Sequence, residues 1–187
     1  MHKQRCDWCI GDPLYEAYHD LEWGVPVYDD LKLFEFLTLE TFQAGLSWIT
    51  VLRKRENFKK AFDNFDYQKI ANYNQDKIDN LLLNAGIIRN KLKIKATVTN
   101  AQAFINIQKE FGSFSKYIWG FVDGQPIKNS WKSMAEIPAT TALSDTISKD
   151  LKKRGFKFVG STVIYAHMQA TGMVNDHITS CFRYNKL

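Results

Sequence analysis

Leu81-Leu82-Leu83-Asn84-Ala85-Gly86-Ile87-Ile88-Arg89-Asn90-Lys91 is where the architecture of this chain becomes legible. An apolar helical run stops at a glycine, two apolar residues seal a tight turn, and a basic helix opens. The flanks follow the same pattern of polar cap and helix-length segment. Upstream, Asp29-Asp30 can cap a helix from Leu31 to about Thr41, with acids at its positive end. A second helix is expected from near Phe42 through Trp48 and Val51 to near Phe62, and short ones over Asp66–Tyr73 and Asp76–Asn84. Downstream, a long helix runs from about Arg89 to Phe111, and Ser113–Phe121 follows it. Asp123-Gly124-Gln125-Pro126 reads as a turn, and residues 124–140 as irregular. Ser144 can cap a helix through Arg154 with Gly155 at its C′ position, Ser161–Thr171 is stopped by Gly172, and Asp176 can cap a last helix. Strand-like alternation is weak; Gly155–Val163 is the best candidate and too short to build a sheet. The expected fold is all-α, a single domain over residues 1–187.

The corner itself resembles a helix–hairpin–helix element, about residues 81–95, in which turn amides and the N-terminus of the next helix hold a phosphate. Gly86, Ile87, Arg89, Lys91 and Lys93 are then the candidate DNA contacts, with Lys95 adding sequence-independent attraction. The usual hairpin has a second glycine where this chain has Ile88, so an ordinary αα corner is the competing reading.

Charge points the same way. Residues 1–40 carry nine acids and three bases, whereas the remainder carries 22 bases and 11 acids. The bases gather at Arg53–Lys60, Arg89–Lys95 and Lys149–Lys157. Any one cluster can be a solvated helix face; three together suggest a surface for a polyanion. No apolar run is long enough for a bilayer, so no membrane partner is expected. The polar start leading into Cys6 does not read as a signal peptide, and three cysteines suit a reduced compartment better than a disulfide framework. A cytoplasmic monomer is expected.

The two ends of the chain carry a possible metal site. Cys6 and His19 lie near the start, and His177 and Cys181, spaced i, i+4 on the expected last helix, share one face. Two such pairs suit a closed tetrahedral zinc centre that staples the termini. Cys6 and Cys9 also form a C-x-x-C, so a set of Cys6, Cys9, His177 and Cys181 competes and would leave His19 free. The remaining alternative is ordinary: buried free cysteines behave as small hydrophobes.

A carboxylate stands where an apolar residue belongs. Leu33, Leu37 and Glu40 recur on one helical stripe, so if the leucines face inward Glu40 does too. A position at the helix end can leave such a group half in solvent; otherwise Glu40 lines a pocket, with Tyr18, Trp23, Phe42 and Trp48 nearby in sequence. Aromatic walls and one carboxylate suit a flat cationic or electron-poor ring.

Tyr18-His19-Asp20-Leu21-Glu22-Trp23-Gly24-Val25-Pro26, Gln43-Ala44-Gly45-Leu46-Ser47-Trp48, Lys152–Gly160 and Val174-Asn175-Asp176-His177 closely resemble the 3-methyladenine DNA glycosylase I family, from about Arg5 to Cys181. The resemblance implies a helix–hairpin–helix glycosylase domain and one structural zinc on Cys6, His19, His177 and Cys181, which disfavours Cys9. It also implies a base pocket with Tyr18, Trp23, Trp48 and a catalytic Glu40. The expected activity is monofunctional: hydrolysis of the N-glycosidic bond of 3-methyladenine flipped out of double-stranded alkylated DNA, leaving an abasic site. Other helix–hairpin–helix glycosylases carry a catalytic Asp after the hairpin. Here residues 87–122 hold no Asp and only Glu110 as an acid, as the resembled family implies. A lysine-based lyase acting through Lys91, Lys93 or Lys95, and a non-enzymatic zinc-stapled DNA-binding module, are the rival readings.

Overall fold

A computed structural model of the chain describes residues 3–43 and 45–186; Ala44, within the Gln43–Trp48 motif, lies outside them. The described residues are mostly helical. In chain order the helices are α1 (Pro13–Leu21), α2 (Asp30–Gln43), α3 (Trp48–Ala61), α4 (Tyr67–Ile70), α5 (Gln75–Leu83), α6 (Lys91–Phe111), α7 (Phe114–Trp119), α8 (Ala142–Lys153) and α9 (Ser161–Ala170). One small parallel pair joins β1 (Ile127–Lys128) to β2 (Val174–Asn175).

The caps explain most boundaries. Asp12 accepts from the amides of Leu14 (2.9 Å) and Tyr15 (3.2 Å), and Pro13 supplies a pre-set φ at the first position of α1. This helix was absent from the sequence-based expectation although Asp12-Pro13 signals it. Asn74, not Asp76, caps α5, and Thr141 with Ser144 forms the capping box of α8. Asp29 caps α2 through the amide of Lys32 (2.8 Å). Asp30 instead reaches across the molecule to the amides of Phe114 (2.9 Å) and Ser115 (2.8 Å), so α2 caps α7.

α2 is the hub. Every residue from Leu33 to Phe42 is buried, so this helix has no solvent face in that span. Phe34 packs on the α6 side, with Phe104 at 5.1 Å, and Phe42 meets Phe58 of α3 at 4.8 Å. The inward direction of Glu40 therefore follows from the central place of α2, not from a single apolar stripe.

Three expectations fail. The helix expected from near Phe42 begins only at Trp48, because α2 runs on through Phe42 to Gln43. Gly155–Val163 forms no strand; the strand pairing lies at residues 127–128 and 174–175, too short for a sequence signature. No helix follows Asp176: residues 176–178 are irregular and residues 179–186 run through turns and a bend, with the Cys181 amide on the Ile178 carbonyl (2.8 Å) and the Phe182 amide on the Gln4 carbonyl (2.9 Å). The termini thus meet through the Phe182–Gln4 backbone hydrogen bond.

The end of α9 is locked to the segment after α1. Gly172 adopts φ +71°, and a Cβ there would fall 2.4 Å from the Pro26 nitrogen. The Gly24 amide donates to the Gln169 carbonyl (3.1 Å) and the Val27 amide to that of Thr171 (3.0 Å). This close approach places Trp23 beside α9. Among the described residues no helix is long and apolar enough to cross a membrane.

Candidate base pocket and metal cluster

α1, α2, α3 and α9 converge on a cavity of about 210 Å³, smaller than a site for a drug-sized ligand and suited to one nucleobase-sized ring. Tyr18, Trp23, Glu40 and Trp48 all line it. So do Trp8, Tyr15, Gln43, Met134, Ala166 and Gln169, which the sequence-based reading missed. Tyr15 lies i, i+3 from Tyr18, a spacing that would have placed it on the same face once α1 was recognised. Met134 and Gln169 come from distant segments and leave no local signal.

The walls are rings at contact distance. Trp8 packs on Tyr15 (4.7 Å between centroids) and Trp23 (5.1 Å), and Tyr18 on Trp48 (5.7 Å). Within them Glu40 is 4% exposed and accepts no hydrogen bond from any described residue. Burial alone raises its carboxyl to about 8, because the charged form has lost water and gained no cation. Burial first, then the nearby Glu40, pushes the Tyr18 phenol well above its ordinary range, so it stays a neutral donor. The Trp48 indole N–H is buried without an acceptor among the described residues. A buried unsatisfied donor and an unpaired acid are costly in an empty protein. Both become favourable once a ligand supplies an acceptor and a positive charge.

Next to this cavity lies the cluster from the termini. Ligand-capable atoms of Cys6, His19, His177 and Cys181 all lie within 4.8 Å of one another, in a fully buried set that can hold a metal ion. Cys181 Sγ is 3.4 Å from His177 Nδ1 and 3.5 Å from His19 Nε2; Cys6 Sγ is 3.7 Å from His177 Nδ1. The other ring nitrogens are engaged outward: His19 Nδ1 with Asp20 (2.9 Å), itself clamped by Arg5, and His177 Nε2 with the Trp23 carbonyl (3.2 Å). Such outer contacts fix ring orientation and tautomer at a metal site. The neighbouring Cys6 thiol, with His177 and His19, holds the Cys181 thiol far below its ordinary range. Cys9 is apart: its thiol donates to the Cys6 carbonyl (3.1 Å), and burial pushes it up to about 11. Trp23 joins cluster and cavity, its ring 4.6 Å from that of His177.

The corner at Gly86 is tight. Asn84 accepts from the Gly86 amide (2.8 Å), and a Cβ on Gly86 would crowd Asn57 at 3.2 Å. Ile87 is buried, whereas Arg89, Lys91 and Lys95 are exposed. Lys93 departs from the expected phosphate-facing set. It is 6% exposed and its ammonium donates to the Phe42 carbonyl (3.2 Å), at the C-terminal end of α2. Residues two apart on a helix face opposite ways, so Lys91 and Lys95 share one side and Lys93 the other.

The site is thus a ring-walled cavity holding one acid with no hydrogen-bond partner among the described residues, on a helical scaffold with a basic corner. The family model of methyladenine glycosylases matches residues 8–184, and the chain belongs to that family. DNA-3-methyladenine glycosylase 1 of Escherichia coli (strain K12) is 50% identical over 181 residues, 97% of each chain. A crystal structure of a 3-methyladenine DNA glycosylase I superposes with a TM-score of 0.93 at 54% identity, over 96% of this chain and 98% of that one. A variant of another such enzyme, solved in complex with 3-methyladenine, gives 0.93 at 35% identity over 95% and 96%.

Proposed function

We propose that this enzyme removes 3-methyladenine from alkylated double-stranded DNA by hydrolysing the N-glycosidic bond of a flipped nucleotide. The observation that carries the reading is Glu40: buried, with no hydrogen-bond partner among the described residues, in a cavity walled by indole and phenol rings. Methylation at N3 makes the nucleoside cationic, so its glycosidic bond is weak and departure restores a neutral base. The protein then needs selection and grip more than acid–base power. In the empty cavity Glu40 keeps its proton up to about pH 8. A cation brought beside it favours the carboxylate, whereas neutral adenine offers no such compensation. Trp48 and Trp23 provide stacking surfaces, and Tyr18 a polar contact. Among the described residues no lysine lines the cavity, which favours water over a Schiff base as the acceptor of the sugar.

Cys6, His19, His177 and Cys181 would hold a zinc ion. Zn–S and Zn–N bonds at tetrahedral angles put neighbouring S and N atoms about 3.6 Å apart, and the observed separations of 3.4, 3.5 and 3.7 Å agree. Four protein ligands leave no open position, so the ion supplies structure.

DNA would lie against the Gly86 corner. The amides of Ile88 and Arg89 have no acceptor among the described residues, and Arg89 and Lys91 point outward. Arg89→Ala and Lys91→Ala are expected to weaken binding to any duplex alike and to flatten the plot of log affinity against log salt by about one unit each. Salt titrations by fluorescence anisotropy check this; unchanged slopes would move the phosphate contacts elsewhere. The activity itself is tested by chromatography of bases freed from methylated DNA. 3-Methyladenine is expected as the main product, and its absence would end this reading.

A further inference from the structure

We infer that Gln169 is a specificity-determining residue that reads an exocyclic amino group on the flipped base, and that Asp176 orients it for the task. The inference rests on the function proposed above and deepens it. Asp176 is 1% exposed and takes four hydrogen bonds. Its Oδ1 accepts from Asn129 Nδ2 (2.7 Å) and the Trp131 indole (2.8 Å). Its Oδ2 accepts from the Tyr165 hydroxyl (2.6 Å) and Gln169 Nε2 (2.9 Å).

A carboxylate offers lone pairs only, so the Gln169 amide must turn its NH2 towards Asp176. The usual freedom to exchange the amide oxygen and nitrogen is removed. The main chain of Gln169 is pinned as well, its carbonyl accepting from the Gly24 amide (3.1 Å). What remains is Oε1, which accepts from no described residue, on a side chain that lines the base cavity. Glu40 presents a second acceptor to the same cavity.

An amino group carries two N–H donors and can satisfy two acceptors. An oxo group carries lone pairs only; against Gln169 Oε1 it would lose the hydrogen bond and bring two oxygens together. The cavity is therefore built to separate 6-amino from 6-oxo purines, a distinction that aromatic stacking cannot make because every base has a π-face.

The matched probes are free 3-methyladenine and free 3-methylhypoxanthine, which differ at C6. Each is titrated against the intact metal-loaded protein by quenching of tryptophan fluorescence. Wild type is expected to prefer 3-methyladenine by about tenfold or more. Gln169→Leu should lose about that factor for 3-methyladenine and none for the oxo base, bringing the ratio near one. Gln169→Met, which keeps the chain length, serves as the second variant if the leucine protein does not fold. Variants that keep the wild-type preference, or that weaken both bases equally, would overturn the role of Gln169 alone. Wild type that fails to bind 3-methyladenine would instead strike the proposed function.

Discussion

Glu40→Gln is expected to slow single-turnover release of 3-methyladenine by about 100-fold, the scale on which one preorganised electrostatic contact acts, while making the empty protein more stable in mild alkali. The two effects share a cause. The carboxyl of Glu40 is raised to about 8 by burial, from an ordinary Glu value near 4.3 in the unfolded chain. A group whose folded value is raised leaves stability intact below the unfolded value, and stability falls as pH rises towards the folded one. The window is thus from about pH 4.5 to 8, at about 1.4 kcal/mol per pH unit, and by pH 7 the loss is on the order of 3 kcal/mol. The amide that replaces the acid does not titrate, so the variant should match wild type near pH 4.5 and exceed it increasingly up to pH 8. Urea melts at both pH values read the difference. Parallel stability curves would mean that the acid is solvated in the empty cavity; unchanged excision would remove Glu40 from the chemistry. A variant that is both more stable and less active is the signature of a group strained for function.

How much of this was legible in the sequence depends on the range of the contact that matters. Caps and glycine stops are local, so most of α2 to α9 could be bounded to within a few residues from Asp, Asn, Ser and Gly. Glu40 could be placed inside, although for an incomplete reason: one stripe suggested it, whereas α2 is buried on all sides from Leu33 to Phe42. The four residues that gather at the termini could be picked out by type, yet the assumed helical face for His177 and Cys181 was wrong; a turn around Ile178 brings them together. Lys93 was misjudged by treating Lys91, Lys93 and Lys95 as one cluster, when helical geometry already separates the middle one. Gln169 and Met134 could not be found, and Asp176, read as a helix cap, instead takes hydrogen bonds from Gln169 and Asn129. Their positions depend on pairings between segments far apart in sequence, such as β1 with β2 and Gly24 with Gln169, which leave no periodic trace.

Removal of the proposed zinc is expected to have the largest effect on the protein as a whole. Without an ion, two imidazoles with no exposed surface and two buried sulfurs crowd within 4.8 Å with few other partners. Binding of structural zinc can contribute on the order of 10 kcal/mol, comparable to the entire stability of a domain. A strong chelator should therefore lower the melting temperature sharply and release about one zinc per chain. Cys181→Ser and His19→Ala should purify with little or no metal, while Cys9→Ser, whose thiol only donates to the Cys6 carbonyl, should keep it in full. The reverse pattern, zinc retained by His19→Ala and lost by Cys9→Ser, would reassign the ligands. The cavity should respond before the fold does. The ring of Trp23 leans on His177 at 4.6 Å, and Trp8 lies 5.3 Å from the ring of His19, so both walls are braced by cluster residues. Partial chelation at low temperature should thus weaken binding of free 3-methyladenine while helical circular dichroism stays unchanged. If base affinity and helicity are lost together, the cluster acts on the global fold alone and does not shape the pocket.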